Sequence, residues 1–155
     1  MSFDRFLQLL RELEAHRVEY VLVGGAALNL HGIIRATEDI DFFVRLEDGN
    51  VERFKAALRA VWNDPQIEEI KACEMADAFP VIRYGPPNED FAIDLLSRLG
   101  TEFAFDDLDV EEVELEGVRI RLATAATLYR MKKGTVRPID KADAAALREK
   151  FGLED

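Results

Sequence analysis

The spacing of apolar residues in the first half of the chain predicts helices in some segments and strands in others. A helix is predicted over residues 3–15, where apolar side chains recur every third or fourth position. The continuous apolar run at 20–23 instead predicts a buried strand, which ends in a tight turn at Gly24-Gly25. A short helix is expected over residues 26–31, and the segment DIDFFV at 39–44 predicts a second strand.

A longer helix is predicted after the second strand, with Asn50 as its N-cap and an apolar stripe formed by Val51, Phe54, Leu58 and Val61. Further along the chain, three candidate strands are predicted over Glu68–Cys73, Pro80–Tyr84 and Phe91–Leu95. Residues 85–88, which read Gly-Pro-Pro-Asn, are expected to form the turn between the last two of these strands.

The last third of the chain is predicted to contain a hairpin followed by two helices. The hairpin would pair residues 111–114 with 118–122 around Glu116-Gly117, and the helices would cover about 124–133 and 138–150. This order predicts an α+β fold, with a mixed β-sheet flanked by helices and two helices at the C-terminal end. Because no repeat or linker divides the chain, residues 1–155 are expected to form a single domain.

The composition is typical of a soluble globular protein, with 48% hydrophobic and 33% charged residues. The one cysteine, Cys73, allows no intrachain disulfide, and a reduced, cytoplasmic setting is expected. No apolar run approaches the roughly 20 residues that a membrane-spanning helix needs, so no membrane association is expected.

The formal net charge of −11 argues against a protein that coats nucleic acid, because such binding depends on Lys and Arg. The charge is nevertheless uneven. Residues 89–116 hold eleven acids against one base, whereas residues 119–141 hold seven bases against one acid. This asymmetry is consistent with a local surface for an anionic ligand on an acidic protein.

Two carboxylates stand out in the predicted strand DIDFFV. Since side chains alternate between the two faces of a strand, Asp39 and Asp41 are expected to point the same way, while Ile40 and Phe42 anchor the other face in the core. Paired carboxylates in an apolar strand require a compensating cation, and Mg²⁺ with its oxygen ligands suits them. Asp94 interrupts a second apolar run, FAIDLL, so three acids from two strands could hold one or two ions.

The glycines at the end of the first strand complete this picture. Gly24 and Gly25 allow the backbone to approach a ligand closely, and the helix that follows would present free N–H groups to an anion. A strand, a Gly-Gly turn and a helix therefore predict a cradle for a triphosphate, which the acidic strand would face.

The run VGGAALNLHGIIRATEDID resembles the signature of the DNA polymerase β-like nucleotidyltransferase superfamily. In that signature a hydrophobic strand leads to Gly-Gly or Gly-Ser, and an acid-x-acid pair follows. More narrowly, the run resembles the minimal nucleotidyltransferases related to AbiEii-type toxins. Asp94 matches the third acid of the family. Arg137, Asp140 and Asp143 match its C-terminal Arg-x-x-Asp-x-x-Asp run, with Lys141 between the two acids.

The resemblance implies Mg²⁺-dependent transfer of a nucleoside monophosphate from an NTP to a hydroxyl group, with release of pyrophosphate. Asp39 and Asp41 would bind the ions that bridge the triphosphate. Asp94 would complete a second ion site and accept the proton of the attacking hydroxyl. Gly24 and Gly25 would contact phosphate through their backbone N–H groups.

The resemblance also implies cationic and polar contacts to the phosphates. Arg35 and Thr37 precede the acidic pair and are candidates for contacting the triphosphate. The candidates for neutralising the leaving pyrophosphate lie near the C-terminal helices, and spacing does not choose among them: Lys132, Lys133, Arg137 and Lys141. The Gly-Gly form lacks the serine hydroxyl contact of Gly-Ser relatives.

Other functions fit the sequence less well. Glycosyltransferases with an Asp-x-Asp pair need a nucleotide-binding region ahead of it, for which this chain has no room. Phosphatases of the haloacid dehalogenase type require Thr or Val where Phe43 stands. The remaining alternative is a catalytically silent nucleotide-binding or regulatory module of the same fold. The acceptor stays open between RNA, a protein and a small molecule, and an antitoxin is a possible partner.

Overall fold

The structure, a computed structural model, describes residues 3–34, 36, 39–76, 81–99 and 103–154. Its helices are α1 (Phe3–Ala15), α2 (Gly24–Leu30), α3 (Asp48–Val61), α4 (Ala72–Met75), α5 (Ala125–Lys133) and α6 (Pro138–Phe151). Its strands are β1 (Tyr20–Val23), β2 (Asp39–Val44), β3 (Val81–Tyr84), β4 (Ala92–Leu96), β5 (Arg98–Leu99), β6 (Phe103–Ala104), β7 (Val110–Leu115) and β8 (Val118–Ala123). The predicted α+β fold, with a mixed sheet and two C-terminal helices, is confirmed.

Within the described residues, six strands form one mixed sheet in the order β3-β4-β2-β1-β8-β7, and β5 pairs with β6 in a separate ribbon. The strand β2 runs antiparallel to β1 and parallel to β4. The β3–β4 and β7–β8 pairs are antiparallel, whereas β1 and β8 are parallel. This arrangement puts the two acid-bearing strands, β2 and β4, side by side.

The hydrophobic core covers the face of β2 that lies opposite its acids. Ile40 and Phe42 are fully buried there, as strand alternation predicts. The Phe42 ring meets the rings of Tyr20 and Phe54 edge to face, with centroids 5.6 and 5.4 Å apart. Because Phe54 belongs to α3, this aromatic contact holds α3 against the sheet and leaves the opposite face of β2 to Asp39 and Asp41.

Two local predictions are wrong. Residues 68–73 do not form a strand. A 3₁₀ helix covers Pro65–Glu69, and α4 follows. The 3₁₀ helix begins because Asp64 accepts a hydrogen bond from the N–H of Gln66 and Pro65 occupies the first turn. Its buried Ile67 and the following Ile70 lie three residues apart, which is a helical spacing that the strand prediction overlooked.

Asn50 is not an N-cap, because α3 begins two residues earlier and has Glu47 as its N-cap. The buried amide of Asn50 instead joins two other segments. It accepts a hydrogen bond from the N–H of Glu19 at 2.7 Å and donates to the carbonyls of Glu19 at 3.0 Å and Arg45 at 2.9 Å. Asn50 thus ties the start of α3 to the entry of β1 and the exit of β2.

Other boundaries differ by a few residues. The short helix after the first strand starts at Gly24 rather than at residue 26. The small ribbon of β5 and β6 was not predicted, because strands of two residues carry no periodic signal. No helix in the described part of the chain is both long and apolar enough to span a bilayer.

We expect Asn50→Ala to destabilise the protein by about 2 kcal/mol, because it leaves backbone groups of Glu19 and Arg45 without their side-chain partner. The free energy of unfolding in urea measures this loss. The control is Asn63→Ala at an exposed position, which we expect to change stability by less than about 0.5 kcal/mol. Equal losses in the two variants would contradict the linking role of Asn50.

Candidate active site

Three neighbouring strands bring charged side chains into one row across the sheet, and a fourth strand, β1, ends beside this row. Asp41 of β2 lies directly opposite Asp94 of β4, and Asp94 lies opposite Arg83 of β3. On its other side, Asp41 lies opposite Val23, the last residue of β1. Side chains opposite each other on adjacent strands share one face of the sheet, with Cβ atoms roughly 5 Å apart. Asp39 precedes Asp41 by two residues and therefore joins the same face.

Gly24 closes the end of this row. Its φ of +72° lies in the left-handed region, and a β-carbon there would overlap the carboxylate of Asp41. The chain turns directly from β1 into α2 at this point, so the backbone of Gly24 lies against the acidic strand. Glycine is needed at position 24 for two reasons, its backbone conformation and the close approach of Asp41.

A cavity of about 440 Å³ collects most of the residues that the sequence predicts for the site. It is lined by Gly24, Gly25, Ala36, Asp39, Asp41, Arg83, Asp94, Lys132, Arg137, Ile139 and Asp140. Volumes of this size suit a small-molecule or cofactor ligand. The three acids, the two glycines and two of the predicted cations therefore meet in one place.

An adjoining cavity of about 340 Å³ shares Asp41 and Asp94, but not Asp39, with the first one and has a different character. Gly24, Asp41, Asp94 and Lys132 line both cavities. The second cavity adds mainly apolar side chains: Val23, Val81, Leu96, Leu99, Leu128 and Met131. The carboxylates of Asp41 and Asp94 thus lie between a polar cavity and a more apolar one.

Arg83 is a site residue that the sequence prediction missed. Its Nε donates to Asp94 Oδ1 at 3.0 Å, and its Nη2 donates to Asp94 Oδ2 at 3.1 Å and to Asp39 Oδ2 at 3.0 Å. Hydrogen bonding to Asp94 and the charges of both acids raise the pKa of Arg83 above its ordinary value. In the sequence, Arg83 is visible only as an arginine in a predicted strand. Its contact with Asp94 depends on the register of β3 against β4.

Asp41 occupies the most unfavourable electrostatic position in the site. Burial raises the pKa of Asp41 to about 7, the neighbouring Asp94 and Asp39 charges push it in the same direction, and Lys132 opposes them. Like charges brought together away from water disfavour ionisation of the last carboxyl group. The site therefore favours any ligand that adds positive charge next to Asp41.

The three carboxylates suit a divalent cation, although their oxygens are not already arranged as a complete coordination shell. Among the residues that the structure describes, no three Asp, Glu, His or Cys side chains already form a metal-binding group. Asp39 and Asp94 instead share the guanidinium of Arg83, while Asp41 lies directly opposite Asp94 in the sheet. Three carboxylates around one cavity are suitable oxygen ligands for Mg²⁺.

Lys132 links the C-terminal helices beside the acids. Its Nζ donates to Asp140 Oδ1 at 3.2 Å and to Asp143 Oδ2 at 2.9 Å, and Thr135 Oγ1 donates to Asp140 Oδ2 at 2.9 Å. Asp140 and Asp143 are both buried on α6. Arg137 Nε lies 3.7 Å from Asp140 Oδ2 and also lines the polar cavity. The family-like Arg-x-x-Asp-x-x-Asp run thus holds Lys132 at the edge of the site.

Four predicted residues are not placed at the three acids by the described structure. Lys133 and Lys141 line a separate cavity beside Tyr129, so the structure does not bring them to the three acids. Lys141 follows Asp140 by one helical step and therefore points to a different side of α6. Arg35 and Thr37 lie outside the described residues.

Comparison with known proteins identifies a matching nucleotidyl transferase family and a solved structure with a similar fold. The family model for the nucleotidyl transferase AbiEii toxin of the type IV toxin–antitoxin system matches residues 5–132. No curated protein sequence is similar enough to this chain to count as a match. An antigenic nucleotidyltransferase-like protein from Paracoccidioides brasiliensis shares the fold, with a TM-score of 0.57 at 13% identity over 97% of this chain and 78% of that one.

Two further structures are more distant. A candidate nucleotidyltransferase from Thermotoga maritima has a TM-score of 0.48 at 15% identity, over 98% of this chain and 96% of its own. The antibiotic-resistance factor ANT(2″)-Ia has a TM-score of 0.47 at 14% identity, over 96% of this chain and 92% of its own.

We expect Gly24→Ala to destabilise the protein by about 2 kcal/mol or more, because alanine is strained at this φ and its methyl group displaces Asp41. Urea unfolding measures the loss. Gly85→Ala is the matched control, since a β-carbon at Gly85 meets no atom within 4 Å. A Gly24→Ala variant as stable as Gly85→Ala would contradict the close packing of Gly24 against Asp41.

We expect Asp140→Asn to lower stability at pH 7 by about 2 kcal/mol, with a deficit that shrinks in acid. Burial alone would raise the pKa of Asp140, but the hydrogen bond from Thr135 and the charge of Lys132 outweigh it and lower the pKa. A lowered folded-state pKa stabilises the protein above the unfolded value of about 3.9, and this contribution is lost as pH falls through the folded-state pKa.

Urea unfolding of wild type and Asp140→Asn at pH 7 and pH 3 tests this expectation. Glu149→Gln, an exposed change on the same helix, is the control for removing one negative charge from α6. A deficit of the same size at both pH values would show that Asp140 contributes through packing rather than through its charge.

Proposed function

Because the chain belongs to the AbiEii family of nucleotidyl transferase toxins, we propose that this site transfers a nucleoside monophosphate from an NTP to a hydroxyl acceptor. One observation carries the proposal. Asp39, Asp41 and Asp94 converge on a cavity that also contains two glycines and the cations Lys132 and Arg137. Carboxylates for metal ions and cations for phosphates are the two requirements of phosphoryl chemistry.

Asp39, Asp41 and Asp94 are the proposed ligands of one or two Mg²⁺ ions. When bound, such ions neutralise the charge that develops on the triphosphate oxygens and orient the reacting groups. The raised pKa of Asp41 supports this assignment, because the unliganded acids repel one another and a cation relieves that repulsion.

The polar cavity is the proposed site for the triphosphate. Gly24 and Gly25 offer close backbone approach on one side, while Lys132 and Arg137 supply positive charge on the other. Lys132 is held by Asp140 and Asp143, so it is pre-oriented without a large loss of side-chain entropy on binding. Arg35 and Thr37 are further proposed contacts to the phosphates.

The proposed reaction is an in-line displacement at the α-phosphorus. The acceptor hydroxyl oxygen forms the new bond to phosphorus, the bond to the β-phosphate oxygen breaks, and pyrophosphate leaves. Asp94, which matches the third acid of the family and lines both cavities, is the proposed acceptor of the hydroxyl proton. The apolar cavity leaves room next to Asp94 for the less polar parts of the substrates.

We propose RNA or protein as the acceptor and an antitoxin as the biological counterpart, following the type IV toxin–antitoxin description of the family. The proposed triphosphate site is a cavity of about 440 Å³. Arg119 lies within 4 Å of Glu14 and Glu112, and Arg121 donates to the carbonyl of Tyr20. An acceptor end or a single exposed side chain suits this site better than an extended strand.

We expect Asp39→Asn/Asp41→Asn to reduce nucleotidyl transfer on the order of 1,000-fold, because metal-ion catalysis supplies several kcal/mol of transition-state stabilisation. The measurement incubates each α-labelled NTP with Mg²⁺, total cellular RNA and total protein, and then separates the two fractions. Label that enters one fraction identifies the class of acceptor.

The matched control is Asp106→Asn/Asp109→Asn, which removes two exposed acids outside both cavities and should leave transfer unchanged. Transfer that persists in Asp39→Asn/Asp41→Asn would overturn the assignment of the site. NTP binding without label in either fraction would favour the alternative of a silent nucleotide-binding module.

A further inference from the structure

Arg83 occupies the position that a cation should take among the acids. Its guanidinium bridges Asp39 and Asp94 through three hydrogen bonds of 3.0–3.1 Å. Arginine forks match carboxylate pairs well and carry a permanent charge. Neither the sequence pattern nor the family-like motif assigns a role to Arg83.

We propose that Arg83 is an exchangeable counter-ion, which holds the carboxylates in the nucleotide-free protein and moves to the triphosphate when Mg²⁺ and NTP bind. This inference rests on the proposed function, because it assumes that Asp39, Asp41 and Asp94 bind the metal. It assigns Arg83 two successive partners, first the carboxylates and then the phosphates of the donor.

Arg83 is free to make this exchange because little packing holds it. Its side chain is 62% exposed, whereas that of Asp94 is only 11% exposed. It belongs to β3, which is one of the two edge strands of the six-stranded sheet. A change of side-chain rotamer, without backbone movement, therefore releases Arg83 while the acid that it contacts stays in place.

Lys132, another cation that lines the polar cavity, cannot replace Arg83 easily. Lys132 is already paired with Asp140 and Asp143 at 3.2 and 2.9 Å, both of which are buried. Because Lys132 is paired with these two acids, it neutralises Asp39, Asp41 and Asp94 less effectively. In the nucleotide-free protein Arg83 is thus the main counter-ion of Asp39 and Asp94, and a divalent ion at the same oxygens has to displace it.

The geometry of the sheet supports the second partner. Arg83 and Gly24 lie at opposite ends of the row of charged residues, on β3 and β1, with β4 and β2 between them. Both residues line the polar cavity. A triphosphate bound at Gly24 and Gly25 would lie in the same cavity as Arg83, and added positive charge at the acids would favour contact of the guanidinium with that anion.

The test measures binding of Mg²⁺ alone by calorimetry to wild type and to Arg83→Gln. We expect Arg83→Gln to bind Mg²⁺ roughly three- to tenfold more tightly, because the ion no longer displaces an exposed guanidinium pair. Arg45→Gln is the matched control. Arg45 makes a similar two-point contact with Asp106, at 3.2 and 2.8 Å, outside the cavity.

A second titration uses inorganic tripolyphosphate with the protein saturated in Mg²⁺. Here we expect the opposite sign, with Arg83→Gln binding roughly tenfold more weakly than wild type and Arg45→Gln unchanged. Tripolyphosphate contains no base or sugar, so the result does not depend on which NTP is the donor. Circular dichroism and thermal unfolding check that both variants are folded.

The two outcomes separate this inference from the proposed function. Weaker or equal Mg²⁺ binding by Arg83→Gln overturns the inference, since Arg83 would then support or ignore the metal site, while Mg²⁺ binding by wild type leaves the proposed function standing. Tripolyphosphate binding that is unchanged in Arg83→Gln also overturns it. A failure of every variant, including wild type, to bind Mg²⁺ contradicts the proposed metal site and the inference together.

Discussion

The structure depends on one constraint, which is the register that places Asp41 opposite Asp94 and Asp94 opposite Arg83. Two carboxylates held as direct cross-strand neighbours repel each other, and a pair of like charges in this position destabilises a sheet. The register persists because the other faces of β2 and β4 are apolar and buried, so a shift by one residue would expose them. Hydrophobic burial on one face thus holds an unfavourable charge arrangement on the other.

Compensation for that charge is divided between an edge of the sheet and the C-terminal helices. Arg83 balances Asp39 and Asp94 from the sheet edge, and its exposure makes the contact easy to break. Lys132 approaches from α5, but the buried carboxylates of α6 hold it firmly. The site therefore combines a fixed cation with an exchangeable one, which is a suitable arrangement for binding an anion whose arrival also brings metal ions.

Features set by neighbouring residues could be predicted from the sequence, whereas features set by pairing of distant strands could not. The shared face of Asp39 and Asp41 follows from strand alternation alone. Arg83 was missed because its contact with Asp94 exists only once β3 and β4 pair in a particular register. The local pattern predicts Asn50 as an N-cap, but its hydrogen-bond partners Glu19 and Arg45 belong to other segments of the chain. Helical phase predicts that Lys141 points away from the side of α6 that Asp140 and Asp143 share, and the structure places it in a separate cavity.

The basic segment at 119–141 illustrates why charge counted along a sequence overstates a binding surface. Arg119 lies near Glu14 and Glu112, Arg130 pairs with Asp109, and only Lys132 and Arg137 reach the polar cavity. Most of this positive charge is therefore balanced within the protein. An RNA acceptor would release few counterions on binding, so its affinity would depend only weakly on salt, and recognition would concentrate on the nucleotide that carries the reacting hydroxyl. Recognition confined to the reacting group would suit a protein side chain equally well. The acceptor is therefore identified by the chemistry of the labelled product and not by the electrostatics of the surface.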